Sequence, residues 1–138
     1  MPLDPDAQLV LDMIRAAGRP PFETLTPAEA RLAYANSRKV LQPPPEPVAD
    51  VRDMTAPGPA CDIPVRVYRG AGTTPDEKLP ALVYYHGGGW LLGDLDSHDG
   101  VCRRFANAAR CCVVSVDYRM APEHKFPACV DDCAAATQ

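Results

Sequence analysis

The stretch His86-Gly87-Gly88-Gly89-Trp90 has the residue types and spacing best suited to chemistry in this sequence. Three successive residues without a Cβ can enter backbone conformations closed to other side chains, and they leave their N–H groups open to close approach. Such a loop suits a bound anion or an oxyanion that forms during a reaction. A tight glycine turn with no chemistry is the alternative that the glycines alone leave open. Neither common phosphate loop is present, because no Gly-x-Gly-x-x-Gly opens a following helix and no Gly-Lys-Ser/Thr follows.

Few side chains could act beside this loop. The serines are Ser37, Ser97 and Ser115, and none is flanked as Gly-x-Ser-x-Gly. Ser37 falls on a predicted helix, Ser97 at a helix start and Ser115 inside a predicted buried strand, so none reads as a nucleophile. His98 and His124 read as surface or supporting residues, not general bases. His98 and Cys102 stand four apart on one predicted helix, but no second ligand pair accompanies them, so neither a metal nor any other cofactor is expected. The six cysteines, Cys61, Cys102, Cys111, Cys112, Cys129 and Cys133, read as small apolar residues and not as disulfide partners. Adjacent Cys111 and Cys112 would point to opposite faces of a strand.

The elements that must position the glycines follow from pattern. Leu79 to Tyr85 is a short apolar and aromatic run without helical period, which predicts a buried strand of a parallel sheet with the glycines at its carboxyl end. Asp96 or Ser97 would cap a helix with Val101, Phe105 and Ala108/Ala109 toward the sheet and Arg103, Arg104, Asn107 and Arg110 toward water. Cys111 to Val116 predicts a central strand, giving a strand-helix-strand unit. Upstream, Val48 to Ala56 and Ile63 to Arg69 predict an antiparallel pair, the second with Ile63, Val65 and Val67 inward and Pro64, Arg66 and Tyr68 on a partly wet face. Asp4-Pro5 predicts the start of a first helix with Leu9, Val10, Met13, Ile14 and Ala17 on one stripe, ending at Gly18. Thr26-Pro27-Ala28-Glu29 predicts a capping box and a second helix to about Leu41, its stripe formed by Leu32, Ala35, Lys39 and Val40. Pro127 to Ala136 predicts a last helix. Arg119 and Glu123, on either side of Ala121-Pro122, are expected to pair.

Composition narrows the partners. A net charge of −4 from 14 basic and 18 acidic residues argues against nucleic acid and anionic membrane surfaces. No uninterrupted apolar run approaches ~18 residues and no basic region leads into an apolar core at the start, so a cytoplasmic protein is expected.

With Asp117-Tyr118-Arg119-Met120-Ala121-Pro122-Glu123 and Phe126-Pro127-Ala128 added to the glycine loop, the sequence resembles the bacterial hormone-sensitive-lipase family of α/β-hydrolase esterases. Met120 stands where that family usually has Leu. The resemblance implies a partial α/β-hydrolase fold: cap helices over residues 1–46, then the first four strands and intervening helix over 47–138, stopping before the nucleophile elbow. It further implies that the N–H groups of Gly88 and Gly89 form most of an oxyanion hole, that His86 and Gly87 shape the loop, and that Trp90 or Leu91 borders the substrate pocket. Either Ala121-Pro122 or Phe126-Pro127 should be cis. The substrate would be a small-molecule ester, hydrolysed only by the complete enzyme. A non-catalytic binding remnant is the alternative, and a strand edge left open by the missing strands could drive self-association.

Overall fold

The computed structural model describes residues 2–138. Asp4 accepts the N–H of Asp6, and Pro5 opens helix α1 (Pro5–Ala16). A 3-10 turn (Phe22–Thr24) leads to α2 (Pro27–Leu41), whose start is the expected capping box: Thr26 and Glu29 exchange side-chain bonds to each other's backbone N–H. The sheet comprises β1 (Asp50–Ala56), β2 (Ile63–Arg69), β3 (Ala81–Tyr85) and β4 (Cys112–Val116), in the spatial order β1-β2-β4-β3. β1 and β2 are antiparallel, as are β2 and β4, while β3 and β4 run parallel with α3 (Asp99–Ala108) between them in sequence. Helix α4 (Ala128–Ala136) follows the proline-rich loop, in which both Ala121-Pro122 and Phe126-Pro127 are cis.

The core lies on both faces of this sheet. On one, Tyr68, Val113 and Cys111 meet Cys102 and Ala106 of α3. On the other, Ile63, Val65, Val116 and Tyr118 meet Cys129, Cys133, Ala135 and Ala136 of α4. Cys111 is buried and its neighbour Cys112 half-buried, as alternation along a strand requires, and all six thiols are unpaired.

The structure departs from the sequence pattern in α3, β2, α2 and the Arg119 ion pair. The inward face of α3 is Cys102 and Ala106 with Val101 partly covered, whereas Phe105 is 40% exposed and Ala108 and Ala109 face water; the N-cap is His98, one residue after Ser97 and two after Asp96. The second face of β2 is not wet at Tyr68, whose ring is fully buried under α3 with its hydroxyl on Asp99. Leu32 and Val40 of α2 point outward, and Lys39 is exposed too, because this helix meets the protein through Arg31 and Arg38. Arg119 does not pair with Glu123. It binds Asp132 of α4, and Glu123 binds Arg31.

Candidate active site

The carboxyl end of β3 is fixed by aromatic packing before any glycine appears. His86 is buried, and its ring stacks between Tyr118 (4.6 Å) and His98 (5.3 Å). The Tyr118 hydroxyl donates to the His86 carbonyl at 2.5 Å, and burial pushes its pKa up to about 12, so it stays a donor at any physiological pH. His86 Nδ1 lies 3.0 Å from the Gly87 carbonyl. Among the described residues its Nε2 has no hydrogen-bond partner, and it stands 4.0 Å from Asp117 Oδ1. Burial raises the Asp117 pKa, and Asp94 and Asp96 push it the same way, while His86 opposes them. Gly93 backs the ring: at its φ of +104° a Cβ would sit 2.4 Å from Nδ1. No side chain could take that place without displacing His86.

Beyond His86 the loop turns back on itself. The Gly88 carbonyl accepts from the N–H of both Leu91 (3.2 Å) and Leu92 (2.9 Å). That fixes the Gly88–Gly89 peptide plane, which is trans, so the Gly89 N–H points away from the turn. Among the described residues, nothing accepts from the N–H of Gly88 or Gly89, and the space beside Gly87 and Gly89 is open. Two free donors at an open surface are what an oxyanion needs. Trp90, 63% exposed and with a left-handed backbone (φ 58°), is held by the Ala121 N–H on its carbonyl at 2.8 Å.

One cleft adjoins the loop and another lies beside Gly93. The smaller, about 270 Å³, is lined by Tyr85, His86, Trp90, Tyr118, Cys129 and Cys133 among others. The larger, about 480 Å³, lies between α2 and the loops and is lined by Arg31, Tyr34, Asp94, Asp117, Met120 and His124 among others. Trp90 lines the smaller cleft, while Leu91 lines neither of these two and offers its carbonyl to Arg31 instead.

The serines are committed elsewhere. Ser37 donates to the Tyr34 carbonyl, Ser97 is buried in the Asp94–Ser97 turn, and Ser115 is fully buried in β4. His98 supports the His86 ring. Burial depresses its pKa below 6.5, and the nearby His86 and Arg38 add to this against a smaller opposing effect of Asp94. As pH falls through 6.5 the unfolded chain takes up the proton first, so the folded state loses stability toward acid and regains it as pH rises. Thermal midpoints should rise between pH 5 and 7, and His98→Phe, which keeps a ring in the stack, should flatten that rise. An unchanged slope in the variant would contradict this assignment.

Arg31, Tyr118 and Gly93 are parts of the site that sequence reasoning missed. Arg31 had a signal, since neither it nor Arg38 has an acid three or four residues away on α2. Unpaired cations spaced by two helical turns must find partners outside their own helix.

A mixed sheet with helices on both faces and a glycine loop at the end of a parallel strand defines an α/β-hydrolase class of site. A family model described as the alpha/beta hydrolase fold matches residues 82–138. The chain is 45% identical to the carboxylic ester hydrolase LipN of Mycobacterium tuberculosis, over 97% of this chain and 35% of that protein. It is 35% identical to an arylesterase of Saccharolobus solfataricus, over 96% of this chain and 42% of that one. Among solved structures, the ester hydrolase EH1AB1 from the Lake Arreo metagenome superposes with a TM-score of 0.91 at 44% identity, covering 98% of this chain and 44% of its own. The hyperthermophilic esterase of the archaeon Pyrobaculum calidifontis gives 0.87 at 43% identity, covering 99% and 42%. The chain has part of an α/β-hydrolase fold, and it spans about two fifths of the length of these relatives.

Proposed function

We propose that the complete protein hydrolyses carboxylic esters of small molecules with short to medium acyl chains, and that this chain contributes the oxyanion loop. The observation that carries this reading is the Gly88–Gly89 peptide, fixed through its carbonyl while two successive N–H groups stay free. A serine from outside these 138 residues would attack the ester carbonyl, and the oxygen that becomes negative would rest on Gly88 and Gly89. The relatives named as ester hydrolases support the reaction class. Residues 1–46 would act as a cap over residues 47–138, with the exposed apolar residues Leu9, Met13 and Ile14 of α1 available to face an acyl chain. Six free thiols suit a cytoplasmic home. Among the described residues no helix is long and apolar enough to cross a membrane.

The test compares two proteins on p-nitrophenyl butyrate. The complete protein should turn it over, and a serine-reactive phosphonate should abolish that; the 138-residue chain alone should do neither, since loss of the nucleophile costs ~10⁶-fold. An inert complete protein would favour the non-catalytic reading, which the burial or bonding of all three serines here supports for this chain by itself. The isolated chain should also self-associate, because β3 stands at the sheet edge with its outer hydrogen-bonding groups unpaired. Sedimentation showing a stable monomer at micromolar concentration would count against that.

A further inference from the structure

We propose that Arg31 of α2 is a positioning residue for the oxyanion loop, acting through a relay of peptide groups that ends at the Gly89 N–H. This deepens the ester-hydrolase reading and rests on it. The guanidinium uses nearly all of its fork. Nε donates to the Leu91 carbonyl (3.0 Å), Nη2 to the Ala121 carbonyl (2.8 Å), and Nη1 and Nη2 to the two Glu123 oxygens (2.8 and 2.7 Å).

The Leu91 carbonyl shares a peptide with the Leu92 N–H, and that N–H donates to the Gly88 carbonyl at 2.9 Å. The Gly88 carbonyl in turn shares a peptide with the Gly89 N–H, which is free. The path therefore runs from the guanidinium through two peptide units to the open donor, each unit receiving at its oxygen and giving at its nitrogen. A cation bonded to an amide oxygen makes the N–H of that amide a stronger donor, and successive bonds in such a chain strengthen one another by ~10 to 30% each. A second arm reaches the same carbonyl. The Ala121 N–H holds the Trp90 carbonyl, whose peptide carries the Leu91 N–H that donates to Gly88 at 3.2 Å.

Arg31 thus grips the outer ends of both arms, one at Leu91 and the other through the backbone of Ala121. Glu123 aims the fork by binding it at two points, and Arg31 holds the Glu123 carboxyl down to about 2, so the pair stays ionised throughout the neutral range. Arg38 and Gln42, lower on the same helix, donate to the Ser97 carbonyl and fasten α2 independently, so the helix does not depend on Arg31 alone for its place.

The experiment uses the complete protein and p-nitrophenyl butyrate. Arg31→Ala should lower kcat by roughly tenfold with KM within about twofold, since the strengthened donor matters most once the oxyanion exists. Arg31→Lys, which keeps a cation but not the fork, should fall between the two. Thr26→Ala, which removes the α2 capping box, should lower the thermal midpoint without lowering kcat. In protein carrying ¹⁵N-glycine, the Gly89 amide proton should move upfield in Arg31→Ala. Wild-type kcat in Arg31→Ala, a change in KM alone, an equal kcat loss in Thr26→Ala, or an unmoved Gly89 resonance would overturn the relay. If the wild-type protein hydrolyses no ester, the ester-hydrolase reading fails by itself, and the Gly89 resonance still decides whether Arg31 polarises that amide.

Discussion

Gly88→Ala in the complete protein is expected to reduce kcat/KM for a short-chain ester by roughly 10³-fold while most of the fold survives. At Gly88 the backbone φ is +138°, a region that L side chains rarely enter, and an added Cβ would lie 1.8 Å from the Leu92 carbonyl oxygen. That atom belongs to backbone, so no rotamer change relieves the overlap. The turn from Gly88 to Leu92 must open, and its two bonds to the Gly88 carbonyl open with it. Once that carbonyl is released, nothing fixes the peptide that presents the Gly89 N–H. Loss of one oxyanion donor costs about 10²- to 10³-fold, and here two neighbouring donors move together. Gly87→Ala provides the comparison, because its Cβ would meet nothing within 4 Å. Its loss should be clearly smaller. Equal losses in the two variants, or full activity in Gly88→Ala, would remove the loop geometry from the explanation.

The order of elements and the place of the glycine loop were legible because each is written in local chemistry. Asp4-Pro5 and Thr26-Pro27 supply caps that act within four residues, and both helices start there. Apart from Ser115 the run from Cys111 to Val116 is apolar, as suits a strand covered on both faces, and β4 lies between β2 and β3 in the sheet. Inward faces were less legible. On α3 the small residues Cys102 and Ala106 face the sheet because Tyr68 of β2 already fills the space, and a hydrophobicity pattern favours Phe105 instead. On α2 the small Ala30 is buried and the half-buried Arg31 and Arg38 make the bonds to distant segments, so a search for a stripe of large apolar residues selects the wrong side.

The site divides along the same line. Glycines announce themselves by type, so Gly88 and Gly89 could be named from the sequence. Their supports could not, because each support is a contact between distant segments: Tyr118 with the His86 carbonyl across 32 residues, and Arg31 with Leu91 across 60. Gly93 could have been suspected as a further glycine closing the same turn. Its role depends on the His86 ring lying against it, which only the folded chain displays.

Asp132→Ala should be the most destabilising of the single substitutions considered, at about 3 kcal/mol, seen as a urea midpoint lower by about 1 to 2 M with the slope unchanged. Asp132 is 1% exposed on α4 and is bound from three directions by one residue: Arg119 Nη2 at 2.7 Å, Nε at 2.8 Å and backbone N–H at 2.9 Å. Burial works to raise the carboxyl pKa, and the hydrogen bonds and charge of Arg119 outweigh it, so the group stays below its ordinary 3.8. A carboxyl with a lowered folded pKa contributes its full stability above the unfolded value and loses it as pH falls through the folded one. The penalty of Asp132→Ala should therefore be constant through the neutral range and shrink only below about pH 4. Removing the carboxylate leaves the Arg119 guanidinium, whose side chain is 19% exposed, with little water to replace it. Replacing both partners with leucine should cost less than the two single losses added together, since no half-buried charge remains. The pair also reaches the site. Arg119 follows Tyr118, whose hydroxyl holds the His86 carbonyl, so α4 anchors the end of β3 through two adjacent residues. Asp132→Asn, which keeps the shape and one acceptor, should lie between wild type and Asp132→Ala in stability. A urea midpoint for Asp132→Ala within experimental error of wild type would show that the pair contributes nothing beyond its geometry.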